Sequence, residues 1–154
     1  MAPQPATLHR QRARPHFEHV ARHWTRHTAP PELFGDYPNL VGTGTGTVND
    51  PAHRATHELD VIAFGLDDDD RRRLLAIGEA KWGETIGLPH LDLLRHIRDL
   101  LTGQGRPGAA HASLARYSGN GITDDLRQAA GQDDSIVMIT VDDLYGLRTP
   151  LNHP

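Results

Sequence analysis

Two short apolar segments in the first half of the chain have the composition of β-strands. They are residues 57–64, with the sequence HELDVIAF, and residues 75–82, with the sequence LAIGEAKW. Both are rich in β-branched and aromatic residues, and turn-forming residues bound them. The polar segment 65–73 between them is short enough to turn a hairpin, so we expect the two strands to pair antiparallel.

The rest of the hydrophobic pattern predicts helices and strands in alternation. Apolar residues at helical spacing predict a first helix over 15–28, with Pro15 in its first turn; they are Phe17, Val20, Ala21 and Trp24. We predict further strands at 41–48, 111–117 and 135–141, and further helices at 88–102 and 124–130. The order αβββαβαβ predicts an α/β fold with a mixed sheet and helices on both faces.

Length and composition set the frame for this fold. A chain of 154 residues is long enough for one domain with its own core, which we place at 15–146. Residues 1–14, with Pro3 and Pro5, read as a flexible arm, and 147–154 as a disordered tail. The chain has no apolar run long enough to span a membrane, no signal segment and no cysteine, so we expect a cytoplasmic protein without disulfides or thiolate metal sites.

Charge does not mark the chain as a general nucleic-acid binder. The formal net charge is −4 with histidine neutral, and the pI is about 6.2. A protein that binds nucleic acid tightly through its overall field is usually basic. Any contact with a phosphate backbone must therefore depend on local cations, on a metal ion or on a partner.

Charged residues interrupt the two apolar strands at positions that suggest chemistry. Glu79 and Lys81 point to the same side of their strand and Ala80 to the other, because strand side chains alternate. The hairpin brings Asp60 opposite the end of that strand. Two carboxylates can hold Mg²⁺, which activates a bound water, and a neighbouring lysine can orient that water. The set predicts hydrolysis of a phosphodiester.

The Asp…Glu-x-Lys set resembles that of the PD-(D/E)XK nuclease superfamily. More closely, the two strand sequences resemble the nuclease-like domain at the C-terminus of archaeal-type P-loop ATPases. The similarity extends to the segments 15–18 (PHFE) and 117–126 (YSGNGITDDL), and it covers the chain from about residue 15 to about residue 145. One departure is the strand at 41–48, where threonines and glycines stand in place of bulky aromatic residues.

The resemblance implies a fold, a site and partners. The fold is a restriction-endonuclease-like mixed sheet with flanking helices. Asp60 and Glu79 would be ligands of Mg²⁺ (or Mn²⁺), with the Ala80 carbonyl as a further ligand. Lys81 would position the attacking water, and Glu18 on the first helix would be an accessory carboxylate. The expected substrate is DNA, and a P-loop ATPase is an expected partner because the family domain normally follows one.

Two alternatives to a DNA-hydrolysing enzyme remain open at this stage. The chain has no Walker A motif, so it is not itself the ATPase, and it fits a catalytically silent module that binds DNA or an ATPase partner. In a purely structural alternative, Asp60 and Lys81 form an ordinary cross-strand ion pair. A homodimer is a further option that the sequence does not decide.

Histidines and a charged turn give weaker signals. A histidine stripe on the first helix is interpreted as a solvated polar face; its members are His16, His19, His23 and His27. His53 and His57 lack the His-Glu-x-x-His form of a zinc protease and are interpreted as structural. The run 67–70 of four aspartates lacks the spacing of a calcium loop and predicts a charged hairpin tip, balanced by the arginines at 71–73.

Overall fold

A five-stranded mixed sheet with helices on both faces forms the body of the protein. The structure is a computed structural model that describes residues 5–36 and 43–146. Residues 1–4 of the predicted arm, residues 41–42 of the first predicted strand and the predicted tail at 147–154 lie outside this range. Within it, the expected α/β class is confirmed.

The elements follow the predicted order, with the one-turn helices α2 and α5 added. The helices are α1 (Pro5–His27), α2 (Pro31–Phe34), α3 (Leu88–Gly103), α4 (Asp124–Gln132) and α5 (Val141–Leu144). The strands are β1 (Thr43–Asp50), β2 (Ala55–Leu66), β3 (Arg72–Lys81), β4 (Ser113–Ser118) and β5 (Ile136–Thr140). They lie side by side in the order β1-β2-β3-β4-β5; the first three form an antiparallel meander, and β4 and β5 continue parallel to β3.

The predicted β2–β3 hairpin is confirmed. Val61 lies opposite Gly78 in an antiparallel register. At the tip, Oδ1 of Asp67 accepts hydrogen bonds from the backbone N–H groups of Asp69 and Arg71, at 2.9 and 2.8 Å. The side chain of the first aspartate in the run therefore closes the turn by accepting from backbone N–H groups of the same turn, as expected for a charged hairpin tip.

Helix α1 begins at Pro5, ten residues before the predicted start, and continues through Pro15. Residues 5–14, which we expected in a flexible arm, therefore belong to this helix. A proline is best tolerated in the first turn, where no intrahelical N–H bond is lost, and this favoured Pro15 as the start. The predicted core stripe is confirmed by the burial of Phe17, Ala21 and Trp24. The histidines of the opposite face are exposed: His16, His19, His23 and His27.

Each face of the sheet has its own hydrophobic core. Ile77 of β3 belongs to the cluster covered by α3 and α4, whereas Ala80 of β3 and Tyr117 of β4 belong to the cluster covered by α1 and α5. Because side chains alternate along a strand, Glu79 and Lys81 lie on the face of Ile77. The charged side chains at the end of β3 therefore lie on the face of the sheet that α3 covers.

A buried hydrogen bond fixes α1 against the sheet. The hydroxyl groups of Thr25 and Tyr117 lie 2.5 Å apart, and Thr25 also donates to the carbonyl of Ala21 at 2.8 Å. The tyrosine ring crosses β3 at Gly78, where an added Cβ would lie 2.9 Å from Cε2 of the ring and 2.9 Å from the carbonyl oxygen of Ala115. The absence of a side chain at Gly78 thus allows Tyr117 to reach the helix.

Candidate functional site

The Glu-x-Lys sequence that ends β3 forms an ion pair on one face of the sheet. Nζ of Lys81 lies 2.9 Å from Oε1 of Glu79, and the two side chains are 19% and 17% exposed. Ala80 between them is fully buried in the core under α1. The predicted alternation is confirmed, and Lys81 makes its ion pair with Glu79 rather than with Asp60.

Asp60 of β2 lies beside this pair. Its Oδ2 accepts a hydrogen bond from the N–H of Ala80 at 2.9 Å. Its charge is within electrostatic range of three further side chains, those of Glu18, Glu79 and Lys81. The four side chains that the sequence indicated therefore influence one another electrostatically, and the direct contacts among these segments are those of Asp60 with the Ala80 N–H and of Glu79 with Lys81. The structure engages Ala80 through the N–H, whereas the resemblance implies a role for the carbonyl oxygen.

Helix α1 contributes one cation and one carboxylate to the surroundings of Asp60. Nη1 of Arg22 donates a hydrogen bond to the backbone carbonyl of Asp60 at 2.9 Å. Glu18 precedes Arg22 by one helical turn, and residues four apart lie on the same side of a helix. The position of Glu18 is thus fixed by the same helix that holds the backbone of Asp60.

A buried arginine that the sequence pattern did not single out completes the site. Arg116 of β4 is the register partner of Glu79, and its Nη1 donates to Oε2 of that carboxylate at 2.7 Å. The guanidinium has no exposed surface. Among the described residues, its Nε and Nη2 have no hydrogen-bond partner. Glu79 therefore gives one oxygen to Arg116 and the other to Lys81.

The two strand carboxylates have pKa values shifted in opposite directions. Burial raises the pKa of Asp60, the nearby charges of Glu18 and Glu79 raise it further, and the Ala80 N–H and Lys81 only partly offset this. Burial also acts to raise the pKa of Glu79, but Arg116 and Lys81 together lower it below its usual value. Sites that perform acid–base or metal chemistry are enriched in such divergent pairs.

A second polar cluster lies where β1 ends. Asp50, which is 1% exposed, places Oδ2 3.0 Å from Nε2 of His57 and 2.7 Å from Nε2 of His96. Its Oδ1 lies 3.0 Å from Nδ1 of His53. Hydrogen bonds from His96, His57 and His53, in decreasing order of effect, hold the pKa of Asp50 far below its usual range.

This second cluster is able to hold a metal ion. The ligand atoms of Asp50, His57 and His96 all lie within 4.8 Å of one another. Among the residues whose side chains the structure describes, 16–36 and 45–146, they form the only group of three or more such side chains that meets this distance. The sequence pattern assigns His53 and His57 only a structural role, so it does not predict this group. The structure thus offers a candidate metal-binding group that does not include the Glu-x-Lys sequence. The two clusters are close along the chain, because His57 precedes Asp60 by three positions on β2.

Comparisons with other proteins add no assignment to these two clusters. No protein-family model, no curated protein and no solved structure gives a significant match to the chain. Within the described ranges, no helix is both long enough and apolar enough to cross a membrane. A functional assignment must therefore start from the geometry itself.

Proposed function

We propose that the protein is a metal-dependent nuclease that hydrolyses phosphodiester bonds of DNA. One observation carries the proposal: the carboxylate of Asp60, held by the Ala80 N–H, lies within electrostatic range of Glu18, Glu79 and Lys81. These are the residues that the PD-(D/E)XK resemblance implies. A carboxylate pair with an adjacent ammonium fits the demands of phosphodiester hydrolysis, which needs a positioned water and stabilisation of an anionic transition state.

The donor set fits Mg²⁺ or Mn²⁺, for which carboxylate oxygens are the usual protein ligands. Burial raises the pKa of Asp60 and the nearby carboxylates of Glu18 and Glu79 raise it further, and a dication would favour the ionised form of Asp60 against both effects. Asp60 and Glu79 would hold the ion, which would lower the pKa of a water and neutralise charge on the phosphate. Lys81 must leave Oε1 of Glu79 before the metal ion can bind that oxygen, and its side chain, which is 19% exposed, can move toward solvent.

The surrounding side chains have supporting roles in this proposal. Arg116 keeps Glu79 in place because its fully buried guanidinium donates to Oε2 at 2.7 Å. Lys81, once released from Oε1, presents an ammonium to the attacking water or the phosphate. Arg22 fixes the backbone of Asp60, and Glu18 adds a carboxylate from α1.

A second candidate function is a silent module that binds DNA or a P-loop ATPase partner. It is favoured by the two short ion pairs of Glu79, which occupy both carboxylate oxygens at 2.7 and 2.9 Å. A metal ion must compete with those cations, and the net charge of −4 gives little attraction for DNA. In this candidate the charged cluster stabilises the end of β3 and performs no reaction. A homodimer is compatible with either candidate.

Cleavage of DNA separates the two candidates. Full-length protein is incubated with plasmid and a labelled duplex in Mg²⁺ or Mn²⁺. We expect metal-dependent cleavage that Lys81→Ala reduces by about 100-fold or more. Arg71→Ala, which removes an exposed arginine at the hairpin tip, is the matched control and should cleave normally.

Two outcomes would count against the nuclease. Cleavage that is equal in wild type and Lys81→Ala would assign the activity to a contaminant or to another site. DNA binding without any cleavage, unchanged in Lys81→Ala, would favour the silent module. Calorimetric titration of Mg²⁺ or Mn²⁺ into wild type and Glu79→Ala adds a readout that is independent of turnover.

A further inference from the structure

The cluster at the end of β1 gathers side chains from three elements around one buried carboxylate. Asp50 is the last residue of β1, His57 lies on β2, and His96 lies on α3. His57 and His96 both place Nε2 within 3.0 Å of the same oxygen, Oδ2. Two imidazoles that converge on a single carboxylate oxygen form a compact set of three ligand atoms.

The hydrogen bonds define what a metal ion would replace. Both carboxylate oxygens of Asp50 accept hydrogen bonds from histidine rings, Oδ2 from His57 and His96 and Oδ1 from His53. The Nε2 atoms of His57 and His96 must then carry the protons that they donate to Oδ2. A bound cation would take the place of those protons between the rings and Oδ2, with each imidazole ligating through the lone pair of Nε2.

The distances need little adjustment to accept an ion. Ligands about 2.0–2.1 Å from a tetrahedral zinc ion lie roughly 3.3 Å apart. The present distances of 3.0 and 2.7 Å from the imidazole nitrogens to Oδ2 are only tenths of an ångström shorter. A small outward movement of His96, which is 38% exposed and therefore not confined by the core, would open the set.

We propose that Asp50, His57 and His96 bind Zn²⁺ with three protein ligands and a water in the fourth position. Imidazole nitrogens favour zinc-class transition metals, whereas Mg²⁺ requires oxygen ligands. His53, which is 65% exposed and bonded to the other carboxylate oxygen, orients the ligating carboxylate from outside. This site differs in ligand chemistry from the proposed nuclease site and does not depend on it.

The surroundings provide a route for the ion and a consequence of its binding. A surface hollow beside His96 is lined by Pro51, Asp99 and Gln104, and Asp99 adds negative charge near the entrance. Nε2 of Gln104 donates to the carbonyl of Asn49 at 3.2 Å, so the end of α3 already contacts β1. Zinc binding would reinforce that contact by connecting β1, β2 and α3 through one ion.

Zinc titration of the full-length chain tests the proposal. The protein is treated with a chelator, exchanged into metal-free buffer and titrated calorimetrically with ZnCl₂, then with CoCl₂ while visible absorption is recorded. We expect saturable binding of about one ion per chain, Co²⁺ bands of tetrahedral intensity, and a higher melting temperature with zinc. A millimolar excess of Mg²⁺ should not displace the bound zinc.

Variants locate the ion. His57→Ala and His96→Ala should weaken zinc binding by at least about tenfold and abolish the tetrahedral Co²⁺ bands. His96→Gln keeps a side-chain donor for Asp50 without an imidazole, so it should remain folded in the metal-free state and still fail to bind. His111→Ala removes an exposed histidine outside the cluster and should bind zinc normally.

The exposed histidine stripe on α1 provides the competing explanation. Three of its rings lie near one another: the ring centroids of His19 and His23 are 6.4 Å apart, and those of His23 and His27 are 4.6 Å apart. Zinc binding that persists in folded His96→Gln and disappears in His23→Ala would overturn the proposal, as would the absence of saturable binding in wild type. Lys81→Ala, which should lose DNA cleavage, should leave zinc binding unchanged, which keeps this test separate from that of the nuclease.

Discussion

Arg116 and Glu79 are register partners on adjacent parallel strands, and Nη1 of the fully buried arginine donates to Oε2 of the carboxylate at 2.7 Å. A guanidinium without exposed surface needs a counter-charge, because burying an unpaired ion is costly. Glu79 supplies that charge. The residue proposed to bind a metal is therefore also the residue that makes a buried cation tolerable.

Glu79→Gln should destabilise the protein strongly. The substitution leaves Arg116 buried without its carboxylate, and removal of one partner of a buried pair costs roughly 3–5 kcal/mol when the other stays charged. Glu84→Gln, in an exposed acid that lies 3.5 Å from His90, is the matched control and should change stability by less than about 0.5 kcal/mol. Urea unfolding followed by circular dichroism measures both. Equal unfolding midpoints in the two variants would contradict the prediction.

Asp60→Asn should stabilise the metal-free protein by about 1 kcal/mol. Burial, followed by the nearby carboxylates, raises the pKa of Asp60 and so disfavours its charge in the folded state, and an asparagine oxygen can still accept from the Ala80 N–H. The same variant should lose Mg²⁺-dependent cleavage because one carboxylate is missing. Thermal melting in EDTA provides the stability readout. A lower melting temperature than wild type would show that the charge of Asp60 is favourable after all.

The acid dependence of stability should differ between these two variants. The lowered pKa of Glu79 gives stability that is present above the ordinary carboxylate pKa and is lost as pH falls through the folded value. The raised pKa of Asp60 acts in the opposite sense, since its cost at neutral pH is relieved as the pH falls. Between about pH 6 and pH 3, the loss of stability should be smaller than wild type in Glu79→Gln and larger in Asp60→Asn.

Urea unfolding at a series of pH values measures that difference. The other carboxylates with lowered pKa values, Asp50, Asp67 and Asp133, are common to all three proteins, so their contributions cancel in the comparison. Parallel pH profiles for the three proteins would mean that neither carboxylate titrates differently in the folded state.

The Thr25–Tyr117 pair should respond unequally to loss of each partner. The single hydroxyl proton of Thr25 is donated to the Ala21 carbonyl, so the tyrosine hydroxyl donates to Thr25. Tyr117→Phe removes one hydrogen bond and should cost about 1 kcal/mol, whereas Thr25→Val leaves a buried tyrosine hydroxyl unsatisfied and should cost about 2 kcal/mol. Chemical denaturation measures the free energy of unfolding of both variants. A larger loss in Tyr117→Phe than in Thr25→Val would contradict the assignment of the tyrosine hydroxyl as the donor.

The local sequence pattern predicted how the side chains at the end of β3 are oriented, but not all of the residues that contact them. The period of two correctly placed Glu79 and Lys81 on one side and Ala80 on the other, because strand geometry fixes this alternation. The hairpin turn correctly predicted that Asp60 would lie nearby. The other element boundaries, apart from the start of α1, differ from the prediction by at most three residues.

What the pattern missed depends on contacts between distant segments. Asp50 and His96 are 46 positions apart, and no local spacing indicates that the end of β1 meets α3. Arg116 stands in a strand whose every residue is buried, and a charged residue in so short a segment looks like a surface position until the neighbouring strands are known. Leu114, two positions earlier and therefore on the same face of β4, was the available sign that this position is covered by the core.

The glycine at position 78 has a consequence for how this protein can change. Because the ring of Tyr117 passes over it to meet Thr25, the spacing between α1 and the sheet is determined inside the core, and with it the distance from Glu18 to Asp60. Loops at the periphery can therefore vary in length without disturbing the carboxylates. Conversely, a single methyl group added at position 78 would press on the ring of Tyr117, and through α1 it would alter the surroundings of Asp60 from inside the core.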